Sequence, residues 1–213
     1  MFPAFVQNNV TYGFHDKKAH GINIDTMPAN TKLVIAPDAS SNEYEIHEQL
    51  RGQGIDVLVI DHHQAEKESE FACVINNQLC DYPTKSLSGV GMVYKFCSYL
   101  DNLLQTDYSK SYLDLVALGI IADVMDLRDF ETRYLITQGL SNIINPFIKA
   151  MVAANEFTIG SKLTPRGVAF SIAPGVNAIT RVGTLDEKKV LFESMLEFKA
   201  YESIPSTKRG CKG

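Results

Sequence analysis

The sequence is short of several features that would have settled its class at once. Its four cysteines (Cys73, Cys80, Cys97 and Cys211) show no Cys-x-x-Cys spacing and no zinc pattern. They read as reduced thiols of a cytoplasmic protein. Basic charge is also scarce: 20 Lys and Arg against 25 Asp and Glu leave a net charge of −5 and a pI near 5.5. That composition provides no broad basic field for nucleic acid. It does not exclude one, because an acidic metal site adds negative charge that bound cations cancel. No apolar stretch approaches the ~20 residues of a membrane helix. Met1-Phe-Pro-Ala-Phe-Val6 lacks the basic start and long apolar run of a signal peptide. There is no repeat and no low-complexity segment. The expectation is a cytoplasmic protein with no membrane association.

What remains is ordinary globular material, 45% apolar and 21% charged over 213 residues, enough for one large domain or one and a half small ones. The chain is organised around Ile55-Asp-Val-Leu-Val-Ile-Asp61-His62-His63. This short, β-branched run has the character of a strand buried on both faces of a parallel sheet. Its acid and two imidazoles then fall at the carboxyl end of the strand, where open α/β sheets place their ligands. An acid and two histidines there can bind a divalent metal.

Upstream, Lys32-Leu-Val-Ile-Ala-Pro-Asp38 is a second strand that also ends in a carboxylate. A helix over about 43–53, with Ile46 and Leu50 on one face, joins the two strands. The resulting βαβ unit makes the strands parallel and brings Asp38 to the same sheet edge as Asp61-His62-His63. Phe71 to Asn77 reads as a further strand, and Val10-Thr-Tyr-Gly13 as a possible short one. His15, Asp16 and His20 are metal-type residues, but Lys17 and Lys18 between them point to a solvated loop.

Leu87-Ser88-Gly89-Val90-Gly91 opens a helix whose apolar face is Val93, Cys97, Leu100 and Leu104. A glycine-rich helix start can offer N–H groups to a phosphate, and it equally permits close packing of helices. Tyr112 to Asp123 is apolar on nearly every side, hence a buried helix, and the carboxylate at its end calls for a partner or a metal. Asp126 and Asp129 read as surface charges. Helices follow over 132–140 and 146–155, an irregular stretch over 169–183, a helix over about 185–198 and a basic, disordered tail from Ser206. Asp38, Asp61-His62-His63 and Asp123 thus share one logic, since carboxylates and a histidine at one sheet edge can hold Mn²⁺ or Mg²⁺.

These residues carry a resemblance. Pro37-Asp38, Asp61-His62-His63 and Gly119-Ile-Ile-Ala-Asp123-Val are similar to three motifs of the DHH phosphoesterase superfamily. Ala36-Pro-Asp38-Ala-Ser-Ser, Leu87-Ser-Gly-Val-Gly, Leu113 to Val124 and Val168 to Gly183 resemble, in order, landmarks of its RecJ-type single-strand-specific exonucleases, over roughly residues 10–197. The resemblance implies an α/β fold, a parallel sheet flanked by helices and followed by a helical connector. Residues 1–160 would be a partial DHH phosphoesterase domain and 161–213 a connector with a helix and basic tail. It implies a two-metal site for Mn²⁺ or Mg²⁺ in the complete enzyme, with Asp38 bridging and His62 and Asp123 as ligands. His63 would act on the scissile phosphate, and Asp61 would be either a ligand or the partner of a histidine. Asn177 and Arg181, with Ser88 and Gly89 at the helix start, would lie near the substrate.

Two departures stand out. The family's first motif, of the His-x-Asp-x-Asp-Gly type, has no counterpart, and His15-Asp16 does not fit it. Gly175 stands where an arginine is usual. The small companion domain is also missing, so the chain looks like the middle of a longer enzyme with little nuclease activity by itself. The expected function is 5′-to-3′ digestion of single-stranded DNA. The alternatives are a phosphodiesterase for short oligonucleotides or cyclic dinucleotides, a pyrophosphatase, or an inactive binding module.

Overall fold

A computed structural model describes residues 9–14, 21–160 and 162–196. His15, Asp16, His20 and the tail from Ser206 lie outside the described residues. Strands β1 (Leu33–Pro37), β2 (Asp56–Asp61) and β3 (Cys73–Asn76) form one parallel sheet in the order β1-β2-β3. Helix α1 (Tyr44–Gly52) crosses from β1 to β2 and ends against Gly54, whose φ of +72° suits glycine. The parallel α/β architecture read from the sequence is the one observed.

The alternation along β2 explains its unbroken apolar run. Val57 and Val59 pack with Ala36 of β1 and Leu50 of α1, and Ile22, Ile24 and Met27 close that side. Ile60 packs, with Leu58 and Ile75 against it, into the larger core on the opposite face. That core is built by α2 (Gly89–Leu104), α3 (Leu113–Ala122), α4 (Phe130–Ser141) and α5 (Pro146–Ala154). A sheet covered on both faces needs apolar side chains pointing both ways. The edge strand β1 is covered less completely, and Leu33 and Ile35 are about half exposed.

Helix α3 is the hub of the helical body. Val116, Ala117, Leu118, Ile120 and Ile121 are all buried. Two glycines let other helices reach it. A Cβ at Gly119 would strike Val90 of α2, and one at Gly139 of α4 would strike the Leu113 carbonyl and Ala117. The buried Asp114 carboxylate accepts the amides of Ile144 and Asn145, each at 2.7 Å, and so fixes the entry to α5.

Three sequence expectations are corrected here. Val10–Gly13 is not a strand. The expected apolar face of α2 holds only over its first half: Val93 packs against the core and Cys97 is half-buried, with Gly89, Gly91 and Met92 buried in the first turn, whereas Leu100 and Leu104 are exposed. A helix of 16 residues is ~24 Å long, longer than the short strands it crosses, so its last turns overrun the core. The stretch over 169–183 is helical: a single turn, α6 (Pro165–Gly167), leads through a π-helical segment, Val168–Ile172, into α7 (Ala173–Val182). Pro174 reads as a breaker, but it sits in the first turn of α7, where no N–H is required of it, and the wider π turn precedes it. Val168 and Ile172 are buried in the main core, and α8 (Leu185–Met195) follows with a complete capping box at Thr184 and Glu187. No helix among the described residues is long and apolar enough to cross a membrane.

Steric room should decide the sign of two glycine substitutions. Gly139→Ala forces a methyl onto a backbone carbonyl that cannot yield, and is expected to destabilise by about 1–2 kcal/mol in spite of better helix propensity. Gly175→Ala, whose nearest neighbour is the flexible Met151 terminus at 4.0 Å, is expected to stabilise by about 0.5–1 kcal/mol. Urea unfolding of both variants checks the pair. The same sign for both would refute the packing argument.

A second test concerns Asp101 on α2. Its carboxylate accepts the Thr106 hydroxyl at 2.6 Å and the amides of Tyr108 and Ser109 at 3.1 and 2.7 Å. Thr106 and Ser109 hold its pKa well below the ordinary carboxylate range. A depressed folded-state value contributes stability above the unfolded pKa of about 3.9, and loses it as pH falls through the lower value. Asp101→Asn should lower the urea midpoint at neutral pH and flatten the acid loss of stability. A variant with the wild-type midpoint and acid slope would show the network to be idle.

Candidate metal centre

Strand register brings the polar ends together. Pro37 pairs with Ile60 and Asp61 with Asn76, so Asp38, Asp61 and Asn76 stand in a row at the carboxyl edge of the sheet.

Asp38 continues the ladder by donating its N–H to the Ile60 carbonyl at 2.8 Å, then turns sharply with φ of +61°. Left-handed backbone is tolerated by aspartate better than by most residues. The turn throws the carboxylate onto the first residue of α2. A Cβ at Gly89 would occupy the space of the Asp38 carboxylate, so Gly89 is the seat of that side chain. The start of a helix suits a negative charge. Ser88 is buried and caps α2, its hydroxyl accepting the Gly91 amide at 3.4 Å.

His62 occupies the middle. Its Nε2 is buried, 3.2 Å from Asp38 Oδ1 and 3.4 Å from Asp123 Oδ2, yet neither oxygen is aligned to form a hydrogen bond with it. Burial alone would lower the pKa of the ring. The nearby Asp38 carboxylate, with the charges of Asp123 and Asp61, more than reverses this and raises it. Asp123, the C-cap of α3, has its carboxyl pushed up by burial and by the Asp38 charge, with His62 opposing. An imidazole nitrogen without an aligned partner between two carboxylates is a donor set suited to a divalent cation. Ligand atoms of Asp38, His62 and His63 also lie within 4.8 Å of one another. The residues present therefore fit a metal.

Asp61 differs from the other two acids. It is 1% exposed and accepts the amides of Ser41, His62 and His63 at 3.2, 2.8 and 3.3 Å. Its Oδ1 also lies 2.7 Å from His63 Nδ1. Burial pushes its pKa up, but the His63 ring, the Ser41 side chain and the two histidine amides outweigh burial and keep it low. With Nδ1 occupied by Asp61, His63 presents Nε2 as its available nitrogen, and the side chain is 61% exposed.

Asn177 and Arg181 lie on α7, beside Asp123. Asn177 Nδ2 donates to the Ala122 carbonyl at 2.9 Å and thereby anchors the turn that carries Asp123. The charge of Arg181 is close enough to Asp123 to favour its ionised form.

Sequence reading passed over three residues. Asn76 Nδ2 donates both to Ser41 Oγ and to the His63 carbonyl, each at 2.9 Å. Ser41 is 2% exposed and joins Asn76 to Asp61. His47 of α1 is fully buried behind the loop after β1, with Nδ1 3.1 Å from Ser69 Oγ, and its burial lowers its pKa. The available signals were a short apolar strand ending in Asn76, and a histidine between Ile46 and Leu50 on the helix that joins the first two strands.

Comparisons with known proteins point the same way. The family described as "DHH family, N-terminal domain" matches residues 4–120. A putative SPbeta prophage-derived single-strand DNA-specific exonuclease, YorK, of Bacillus subtilis is 43% identical over 203 residues, covering 95% of this chain and 35% of that protein. The single-stranded-DNA-specific exonuclease RecJ of Escherichia coli is 33% identical over 178 residues, covering 75% of this chain and 30% of that protein. The chain thus spans about a third of the length of these relatives. Among solved structures, RecJ from Thermus thermophilus in complex with Mn²⁺ superposes with a TM-score of 0.68 at 27% identity, covering 79% of this chain and 26% of that one. A RecJ exonuclease bound to manganese also gives 0.68, at 24% identity over 84% of this chain and 50% of that one, which shows the fold.

Calorimetry with Mn²⁺ tests the geometry. Asp38→Ala is expected to abolish binding. Gly89→Ala, which evicts the carboxylate of Asp38 from its seat, is expected to weaken it about 10- to 100-fold, the loss typical of disturbing a ligand's support. His63→Ala should change affinity only a few-fold, because its side chain is 61% exposed and its removal leaves the Asp38–His62–Asp123 set intact. Unchanged binding in Gly89→Ala, or losses of equal size in His63→Ala and Asp38→Ala, would break this assignment.

Proposed function

This chain belongs to the DHH family, and from that premise we propose that it is the metal-binding part of a phosphodiesterase that digests single-stranded DNA from its 5′ end. The observation that carries the reading is the buried, unaligned Nε2 of His62 between the carboxylates of Asp38 and Asp123. Its relatives are named as single-strand-specific exonucleases, and solved RecJ structures hold Mn²⁺ or Mg²⁺.

Asp38, His62 and Asp123 would hold the cation, with Asp38 shared between two ions in the whole enzyme. Bound Mn²⁺ or Mg²⁺ would supply an activated water and neutralise charge on the phosphate. The remaining work belongs to the chain's own side chains. Asp61 is buried, anionic and hydrogen-bonded on both oxygens, so it fixes the His63 ring through Nδ1 and leaves Nε2 as the nitrogen available to a substrate. His63 can then offer a proton from Nε2 to the leaving oxygen, or stabilise the charge that develops on the phosphate. Arg181 faces the same centre and would meet the phosphate of the bound strand. Asn177 holds the Asp123 turn in place, and Ser88 and Gly89 serve the substrate indirectly by seating Asp38. Residues 161–213 would be the connector segment that follows the partial phosphoesterase domain.

Asp38, His62 and Asp123 supply mainly one ion and a bridge, so turnover by this chain alone should be slow, while metal-dependent binding persists. The test is fluorescence anisotropy with a single-stranded oligonucleotide and its duplex, with and without Mn²⁺, followed by product analysis. The expected result is Mn²⁺-dependent binding that prefers the single strand, is lost in Asp38→Ala, and yields mononucleotides from the 5′ end. Metal-independent binding, or equal binding of duplex, would reject the reading.

A further inference from the structure

The turn that carries Asp123 contains a strained residue with no packing role. Helix α3 ends in a Schellman motif: the Val124 amide donates to the Ile121 carbonyl at 3.1 Å, and the Met125 amide to the Ile120 carbonyl at 3.3 Å. The residue at the left-handed position of such a motif is usually glycine, sometimes asparagine. Here it is Val124, with φ of +56°. A β-branched residue in that conformation is a genuine outlier. Its side chain gains nothing from the fold in return, being 86% exposed. Met125 already supplies the apolar contact that accompanies the motif, by packing against the core that contains Ile120.

The location is what gives the outlier meaning. Val124 is bonded directly to Asp123, whose carboxylate lies 3.4 Å from His62 Nε2. The next carboxylate along the turn, Asp126, is held by Arg128 through Nε at 3.0 Å and Nη2 at 2.7 Å, so it presents no unbalanced charge to an approaching phosphate. Leu127 and Phe130, farther along the same connection, are exposed as well. Backbone strain that persists beside a reaction centre is a reason to suspect a role there.

We propose that Val124 is a substrate-contact residue, whose side chain lies against the base of the nucleotide held at the Asp38–His62–Asp123 centre. This deepens the exonuclease reading and rests on it. The strained turn holds the isopropyl group outward, so the contact is in place before the strand arrives. An aliphatic face against a base carries no hydrogen-bond pattern, which suits an enzyme that digests strands of any sequence.

The experiment pairs stability with binding. Val124→Gly and Val124→Asn both accept a left-handed backbone, so both should melt at or above the wild-type temperature. With Mn²⁺ present, each should bind a single-stranded oligonucleotide about 3- to 10-fold more weakly, the scale of one aliphatic side chain partly covered by a base. Against the same oligonucleotide carrying a base-free residue at its 5′ end, wild type and variants should bind alike. Leu103→Asn serves as the control, an exposed apolar residue at the far end of α2, and should bind as wild type does. Unchanged binding in both Val124 variants, losses of equal size on the intact and base-free strands, or lower melting temperatures for both variants would overturn the proposal while the exonuclease reading stands. Failure of the wild-type chain itself to bind the strand in the presence of Mn²⁺ would reject that reading and this inference with it.

Discussion

The carboxyl edge of the sheet depends on one buried carboxylate. Asp61 sits at the end of the central strand with 1% of its surface exposed, a position that costs several kcal/mol unless the charge is well satisfied. It is satisfied from three directions, by the Ser41 amide of the loop after β1, by the amides of the two following histidines, and by the His63 ring. Asn76 extends the network by bonding the Ser41 hydroxyl and the His63 carbonyl together. Three separate strand ends are thereby tied to one another, and the loops that carry Asp38 and His63 have little freedom left.

That rigidity supports strain elsewhere. Among the described residues, the non-glycine positions with positive φ are Asp38, Ser40, Gln105 and Val124, and three of these lie on the loops that bear the metal-type carboxylates. Each costs on the order of 1–3 kcal/mol and persists only where its surroundings over-determine it. At Asp38 the surroundings are the ladder bond to Ile60 on one side and the open seat at Gly89 on the other. At Val124 they are the buried helix α3 and the Asn177 bond to Ala122.

Electrostatics explains why such a site would recruit a cation. Asp38, Asp61 and Asp123 lie around one imidazole, and a proton on His62 together with the nearby Arg181 charge offsets only part of theirs. A carboxyl raised in pKa beside a histidine also raised in pKa is what two groups show when each waits for a positive partner. A divalent ion answers both demands at once. The acidic balance of the whole chain is consistent with a site whose counter-charge arrives from solution.

The chain's own pattern of residues determined the elements and the identity of the acids and histidines. Apolar runs that end abruptly in Asp38, Asp61 and Asp123 are legible because a carboxylate is unfavourable inside a core, so its place at an element's end marks an edge or a site. The parallel pairing of β1 and β2 was legible because a helix of suitable length lies between them. What only the tertiary structure decided was every distance between segments far apart in sequence. Gly89 is one glycine among fourteen until Asp38 is seen lying on it. Ser41 and Asn76 are ordinary polar residues until strand register sets them beside Asp61. Leu100 and Leu104 have helical spacing but no partner, because periodicity states which side chains share a face and not whether anything covers it. Periodicity is a local property of the chain, whereas coverage, register and close approach belong to pairs of elements, and only the packed fold fixes them.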